Sequence, residues 1–211
     1  MNEVLKMTTT RYPDLEACIP VIEAAFELMR VSFSQGGKLL LCGNGGSAAD
    51  CEHVVGELMK GFMSKRPLQA STIERFESEF PGEGTSIATK LQGALPAISL
   101  VSHSSFLTAY ANDVASEMIF AQQVYGYGRP GDVLIGFSTS GNSVNVLRAL
   151  QVAKLQGMKT IGFTGFNGGK MRALCDVSIC VPSERTPHIQ ERHLPIYHAL
   201  CIMLEEVFFP S

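Results

Sequence analysis

The sequence predicts an α/β fold in which a five-stranded parallel sheet is covered on both faces by helices. Five short apolar runs alternate with segments of helical periodicity, which is the pattern of repeated strand–helix units. The runs are too continuous to be half-exposed strands, so both faces of the sheet must be covered. In chain order the runs are KLLLCG, PAISLVS, DVLIGFS, KTIGFTG and DVSICV.

Longer helices are predicted near both ends of the chain. Apolar residues recur at steps of three and four over residues 15–33, and Gly36 and Gly37 follow, so we predict an N-terminal helix over about 11–35. A second helical pattern predicts a final helix over about 187–208.

One segment interrupts the alternation of strands and helices. Residues from about 64 to 93 mix charges, Pro and Gly, and they separate a helix from its next strand by far more than the usual few residues. We interpret this segment as an insertion, a lid or an oligomer contact, with its acidic, glycine-rich middle exposed. Residues 1–211, with this insertion, are expected to form a single domain.

Composition excludes several classes of partner. The chain has 211 residues, 45% hydrophobic and 18% charged, which is ordinary for a globular protein. A net charge of -3 gives no general attraction to nucleic acid or anionic lipid, and no apolar run is long enough for a membrane span. Six cysteines without a C-x-x-C pair predict buried reduced thiols. Because no secretory signal is recognisable, a cytoplasmic location is expected.

The first strand runs into a glycine-rich turn. Gly43, Gly45 and Gly46 allow close approach of the backbone to a ligand, Ser47 is expected to cap the following helix, and the free N–H groups suit an anion. The spacing through Ala48 also satisfies a loose dinucleotide fingerprint. The acidic residue that should follow the next strand is missing, so no nucleotide cofactor is expected. A plain strand-to-helix turn stays open as the alternative.

A second loop carries hydroxyls between a strand and a helix start. Its hydroxyl residues are Ser138, Thr139, Ser140 and Ser143. Hydroxyls at a helix N-terminus suit a phosphate, and both loops lie at the carboxyl ends of parallel strands, where ligands bind. Either loop alone could be a simple connection or capping turn. Together they favour a small phosphorylated ligand.

Two predicted helices carry acid–base candidates. His53 and Glu57 are four residues apart and share a helix face, and Gln190, His193 and His198 lie on the last helix. These residues could transfer protons, and His53, Glu57, Gln190 and His198 could form a four-ligand site for zinc or a similar ion. Polar helix faces and a hydrogen-bonded core histidine are the alternatives.

Four ordered motifs resemble the sugar isomerase (SIS) domain of phosphoheptose isomerases. They are CGNGGSAADCEHVVGEL, STSGNS, TGFNGGKM and IQERHLPIYH, and the resemblance covers about residues 10 to 208 apart from the insertion. It implies a three-layer αβα sandwich with a doubly wound, flavodoxin-like sheet. It also implies conversion of sedoheptulose 7-phosphate to D-glycero-D-manno-heptose 7-phosphate through an enediolate, and a homotetramer with active sites between subunits.

The resemblance also implies roles for individual residues. The implied substrate site consists of Asn44, Gly45, Gly46, Glu57, Asn112, Asp113, Ser138, Thr139, Ser140, Ser143 and Gln190. Zinc or another divalent ion, one per subunit, would be held by His53, Glu57, Gln190 and His198. Glu57 is the implied catalytic base and His198 the implied acid.

The chain departs from the family at two positions. Where many phosphoheptose isomerases have an arginine, this chain has Gly61, with Lys60 just before it, and Pro195 lies within the last predicted helix. A related SIS protein that associates with the bacterial replication initiator is a binding partner rather than an enzyme, and it lacks the residues matching Glu57 and His198. Because both are present here, an isomerase is favoured over that class and over a sugar-phosphate sensor.

Overall fold

Five parallel strands form one sheet in the computed structural model, which describes residues 2–210. The strands are β1 (Leu39–Cys42), β2 (Ala97–Ser99), β3 (Val133–Phe137), β4 (Lys159–Thr164) and β5 (Val177–Cys180). Their order across the sheet is β2-β1-β3-β4-β5, with Leu40 aligned with Ile98 on one side and Leu134 on the other. This is the flavodoxin-like order, so the predicted fold class is confirmed, and the order reverses between β1 and β3.

Helices occupy most of the connections between the strands. They are α1 (Glu3–Arg11), α2 (Ile19–Ser34), α3 (Gly46–Met59), α4 (Ala70–Glu79), α5 (Gly84–Ala88), α6 (Ser104–Tyr110), α7 (Ile119–Tyr127), α8 (Val144–Leu155), α9 (Met171–Leu174) and α10 (Thr186–Phe208). Two 3-10 segments, Pro13–Cys18 and Ser116–Met118, and one π-helical turn, Ala111–Ala115, complete the described structure.

Each face of the sheet has its own hydrophobic cluster. Alternate residues of a strand point to opposite faces, so Leu39 and Leu41 pack with α1, α2, α3 and α10, while Leu40 packs with α7 and α8. Strands buried on both faces explain the unbroken apolar runs in the sequence. Two helical layers enclose the sheet.

The first long helix begins later than its apolar pattern predicts. Residues Pro13–Cys18 form a 3-10 turn, and α2 begins at Ile19. Pro20 has no N–H to donate to the preceding turn, which accounts for the late start. An additional helix, α1, precedes this turn and buries Leu5. No helix within residues 2–210 is both long and apolar enough to cross a membrane.

The segment at residues 64–93 contains two short helices, α4 and α5, on a narrow stem. The stem is an antiparallel bridge between Pro67 and Gln92, next to a hydrogen bond from the Gly93 N–H to the Arg66 carbonyl. Helix α4 has no buried residue. The Glu77 carboxylate accepts from the N–H groups of Gly82 and Thr85, which orders the acidic turn between the helices.

Candidate active site

Helices α3 and α10 lie side by side and run in the same direction. At their start, the Gln190 amide lies so close to Gly46 that a Cβ there would clash with it. Further along, His198 meets His53, and beyond the end of α3 the carboxylate of Glu205 accepts from backbone N–H groups. These contacts define one line of side chains along the two helices, here called the groove, which begins at the glycine turn and ends at Glu205.

Three of the predicted acid–base residues meet in the middle of this groove. His53 Nε2 lies 3.3 Å from Glu57 Oε1 and 3.4 Å from His198 Nε2. The side chain of His53 is 41% exposed and that of Glu57 only 13%. Lys60 Nζ reaches the other oxygen of Glu57 at 3.0 Å. This cluster combines a carboxylate, two imidazoles and an ammonium group, which suits proton transfer.

Two residues that the sequence analysis did not predict, Tyr197 and Asp50, form hydrogen bonds that orient His53. The Tyr197 hydroxyl donates to Asp50 Oδ1 at 3.2 Å and lies 3.0 Å from His53 Nδ1. With Tyr197 donating to Asp50, its oxygen can accept from His53 Nδ1–H, leaving Nε2 free to accept a proton or a metal ion. Burial raises the pKa of Asp50, against the opposing effects of Tyr197 and His53. The helical spacing from Asp50 to His53 was the available signal.

The histidines of α10 have two different roles. Burial lowers the pKa of His198, as does the nearby His53, although Glu57 acts in the opposite direction. His193 is fully buried, its Nε2 donates to the Thr164 carbonyl at 3.2 Å, and burial lowers its pKa to about 4. His193 is therefore a neutral core residue, whereas His198 lies in the groove with a lowered pKa that favours its neutral form.

The glycine turn has the conformation that its sequence requires. Gly45 has a φ of 58° and a ψ of -123°, a combination that residues with a Cβ avoid. Helix α3 begins at Gly46 with Gly45 as its N-cap, and Ser47 lies inside the first turn without a side-chain cap bond. The expectation that Ser47 caps this helix was wrong, because the helix starts one residue before it.

The predicted hydroxyl loop lies between β3 and α8. Ser138 Oγ lies 2.9 Å from Ser143 Oγ and 3.5 Å from Ser140 Oγ, and Ser143 is the N-cap residue of α8. Thr139 follows Ser138, and its carbonyl accepts from the N–H of Gly165. The structure thus gathers hydroxyls at a helix N-terminus, where an anion is stabilised.

A pair of amides joins the glycine turn to the hydroxyl loop. Asn44 Nδ2 donates to Asn145 Oδ1 at 3.0 Å, and Asn145 Nδ2 donates back to Asn44 Oδ1 at 2.9 Å. The pair joins the turn after β1 to the first turn of α8, which follows β3, at the point where the strand order reverses. Asn145 was not among the predicted site residues, because only the fold brings positions 101 residues apart into contact.

The predicted pair Asn112 and Asp113 lies outside these contacts. Both residues are exposed on the π-helical turn, and Asn112 Nδ2 donates to Asp113 Oδ1 at 2.9 Å. Within residues 2–210, their side chains make no hydrogen bond with the groove or with either loop.

The structure gives a steric reason for one departure from the family. A Cβ at Gly61 would clash with the carbonyl oxygen of Ser64, so an arginine does not fit this backbone. The neighbouring Lys60 supplies a cation to Glu57 instead. Helix α10 continues through Pro195, which is buried.

The donor atoms fit the requirements of a zinc ion in part. In a tetrahedral site with bonds of 2.0–2.1 Å, neighbouring ligand atoms are about 3.3 Å apart, and the separations of His53 Nε2 from Glu57 and from His198 are 3.3 and 3.4 Å. However, no group of three or more His, Cys, Asp or Glu residues in the described chain is arranged to hold a metal ion. Gln190 lies at the other end of the groove, two helical turns or about 12 Å from His198 along α10.

Comparisons with known proteins agree with this architecture. The family profile of the SIS domain matches residues 15–92 and 78–165. The phosphoheptose isomerase of Rhodospirillum rubrum is 40% identical over 189 residues, covering 90% of this chain and 87% of that protein. The phosphoheptose isomerase of a Roseiflexus species is 42% identical over 209 residues, covering 99% of this chain and 93% of that protein.

A solved structure shows the same fold over nearly the whole chain. The phosphoheptose isomerase of Neisseria gonorrhoeae superimposes with a TM-score of 0.74 at 34% identity, covering 97% of this chain and 94% of that one. Sequence identity and fold agree over the same length. The chain therefore belongs to the SIS domain family and, within it, to the phosphoheptose isomerases.

Proposed function

We propose that this protein interconverts sedoheptulose 7-phosphate and D-glycero-D-manno-heptose 7-phosphate. The observation that carries the proposal is the meeting of Glu57 and His198 at His53, in a groove that starts at the glycine turn and hydroxyl loop. The phosphoheptose isomerases among its relatives support the same reaction. A binding protein or a sugar-phosphate sensor would need the phosphate loop but not this acid–base cluster.

The reaction needs one base for the carbon-bound proton and one group that moves a proton between the two oxygens. Glu57 removes a proton from C1 of the ketose, His198 protonates O2 and takes up the proton of the C1 hydroxyl, and the proton held by Glu57 returns to C2, so that C1 becomes the aldehyde carbon. The lowered pKa of His198 favours a neutral imidazole, which can both donate and accept a proton. Lys60 Nζ lies 3.0 Å from Glu57 Oε2 and forms an ion pair with this carboxylate.

The length of the groove suits a long sugar. Gly46 and His53 are seven residues apart on α3, a rise of about 10 Å. An extended seven-carbon chain separates its terminal phosphorus from C2 by about 9 Å, given C–C bonds of about 1.5 Å. In this proposal the phosphate lies in the hydroxyl loop, at Ser138, Thr139, Ser140 and Ser143, and C1 and C2 lie near the His53 cluster. Asn44, Gly45, Gly46 and Gln190 would contact the sugar chain between them.

The test measures the exchange of the C1 and C2 protons of sedoheptulose 7-phosphate with solvent. NMR in D₂O monitors this exchange. Glu57→Gln and His198→Ala should each lower turnover by roughly 10²–10⁴-fold, the usual contribution of general acid–base groups. Exposed residues on the same two helices provide matched controls, and Glu52→Gln and His188→Ala should leave turnover unchanged. Ketose phosphates with shorter chains should react poorly. Full turnover in both Glu57→Gln and His198→Ala would reject this mechanism.

We also propose that zinc or another divalent ion binds at this cluster, one per subunit. His53, Glu57 and His198 would hold it, with Gln190 as the predicted fourth ligand after movement of its side chain. Bound there, the ion would polarise the substrate oxygens as a Lewis acid. The orientation of His53 by Tyr197 and Asp50 supports the proposal, since a metal-binding histidine usually donates its other N–H to a partner.

The quaternary structure and location are proposed on similar grounds. A homotetramer with its sites at subunit interfaces accords with an open cleft of about 670 Å³ beside His198, which is lined by Met7 and Met63, each more than 70% exposed. Light scattering should give the mass of four chains. A cytoplasmic location accords with six free cysteines, since a reducing compartment keeps thiols reduced.

A further inference from the structure

A buried ion pair lies at the far end of the groove, outside the acid–base cluster. Arg66 Nε donates to Glu205 Oε1 at 2.6 Å, and the two side chains are 0% and 4% exposed. The Arg66 guanidinium also lies 4.8 Å from the centre of the Phe209 ring. A buried ion pair is a weak source of stability, because desolvation offsets most of the attraction. Its other contacts indicate what the pair does.

The remaining donors of Arg66 bind the last turn of α3. Nη2 donates to the carbonyl of Glu57 at 2.9 Å, and Nη1 donates to the carbonyl of Leu58 at 2.7 Å. These carbonyls lie at a helix C-terminus, where no intrahelical donor is available. Arg66 therefore holds the backbone of the residue whose carboxylate belongs to the cluster.

Glu205 binds the segment that follows α3. Its two carboxylate oxygens accept from the N–H groups of Phe62, Met63 and Ser64 at 2.8, 2.7 and 3.1 Å. The ring of Phe62 in turn lies 5.3 Å from the ring of His198. Glu205 thus fixes the segment that packs against the second catalytic candidate.

The backbone of Arg66 is unfavourable in itself. Arg66 has a φ of 44° and is the only non-glycine residue with a positive φ among residues 2–210. This conformation costs free energy in a residue with a Cβ, and such strain persists where the surrounding structure requires it. The hydrogen bonds of the Arg66 side chain to Glu205 and to the end of α3 hold the residue in this conformation.

We infer that Arg66 and Glu205 are positioning residues, which together set the orientation of Glu57 and His198 toward each other. The inference rests on the proposed isomerase function for its kinetic consequence. It involves no contact with substrate. Lysine cannot replace Arg66, because its single ammonium group cannot span Glu205 and two carbonyl groups as the planar guanidinium does.

The experiment must separate positioning from stability. The double variant Arg66→Met/Glu205→Leu replaces the pair with apolar side chains and so avoids leaving one buried charge alone. We expect it to fold with a lower Tm, because three backbone N–H groups and two carbonyl groups lose their partners. We also expect kcat to fall by roughly 10–100-fold, the cost of a small misplacement, with little change in KM. Arg66→Lys should likewise lower kcat with little change in KM. Glu205→Gln retains an acceptor oxygen, so its kcat should fall less than that of the double variant.

Amide hydrogen exchange provides a readout that does not depend on activity. In the double variant, the amides of Phe62, Met63 and Ser64 should exchange faster, since their acceptor is lost. A matched control is Lys38→Met/Asp132→Leu, which removes a 2.6 Å ion pair between the residues that precede β1 and β3, at the end of these strands opposite to the glycine turn. It should leave kcat and exchange in residues 60–64 unchanged.

The outcomes distinguish this inference from the proposed function. If the wild-type protein does not turn over sedoheptulose 7-phosphate, the proposed function fails. Amide hydrogen exchange in residues 60–64 then still tests whether the Arg66–Glu205 pair, here called the anchor, holds this segment. A folded double variant with wild-type kcat and wild-type exchange would overturn the positioning role. A lower Tm with unchanged kcat would assign the pair to stability alone and would also overturn it.

Discussion

His53 and His198 face each other through their Nε2 atoms at 3.4 Å, although 145 residues separate them in the chain. The contact exists because α3 and α10 pack side by side on the same face of the sheet. His53 Nε2 is also 3.3 Å from Glu57, so one ring nitrogen connects both predicted catalytic residues.

This relationship predicts how zinc binding responds to substitution. The wild-type protein should bind one zinc ion per chain, and His53→Ala or His198→Ala should abolish binding. Tyr197→Phe removes only the hydroxyl beside His53 Nδ1 and should weaken zinc affinity by roughly 10-fold, as loss of an outer hydrogen-bond partner does. Elemental analysis and the absorption spectrum of a cobalt-substituted sample measure binding without an activity assay.

Controls for the metal prediction come from the same helix. His188→Ala, at an exposed position, should bind zinc normally, and Gln190→Ala tests the predicted fourth ligand. Wild-type protein that contains no zinc after dialysis against a zinc salt would contradict the prediction.

The buried His193 predicts a loss of stability in mild acid. The unfolded histidine takes up a proton near pH 6.5, whereas the folded one does so only near its pKa of about 4. Between these values the unfolded state binds more protons, so stability is complete above pH 6.5 and decreases as the pH falls toward 4. The total loss is roughly 3 kcal/mol.

Urea denaturation at pH 7, 6 and 5 measures this loss. His193→Gln keeps a donor for the Thr164 carbonyl but does not titrate, so its stability should depend less on pH over this range. Identical pH dependence in the two proteins would show that another group is responsible.

Gly61 predicts a steric effect on stability. Gly61→Ala introduces a Cβ against the Ser64 carbonyl oxygen and should destabilise the protein by roughly 1–3 kcal/mol. Gly56→Ala, on α3 with open space around its Cβ, should be neutral or stabilising by up to about 1 kcal/mol. Thermal unfolding of both variants makes the comparison, and equal Tm values would contradict the steric explanation.

The sequence was sufficient for the fold class and for the local motifs. Buried strands appear as unbroken apolar runs, Gly45 marks a turn that only glycine tolerates, and Ser138 to Ser143 form a hydroxyl loop from neighbouring positions. These features depend on residues near each other in the chain, where periodicity and spacing carry the information. The start of α2 at Ile19 was predicted less accurately, because the apolar periodicity begins at residue 15, within the 3-10 turn, whereas Pro20 determines where the α-helix begins.

Only the tertiary structure decided which distant residues meet. The Asn44–Asn145 pair, the Tyr197 support of His53 and the Arg66–Glu205 anchor each join positions more than 100 residues apart. The tertiary structure also placed His193 in the core and His198 in the groove, although both lie on α10. The sequence by itself determined the strands, the turns and the types of side chain available. The packing of α3 against α10 determined their distances and burial, because those depend on contacts that no local pattern encodes.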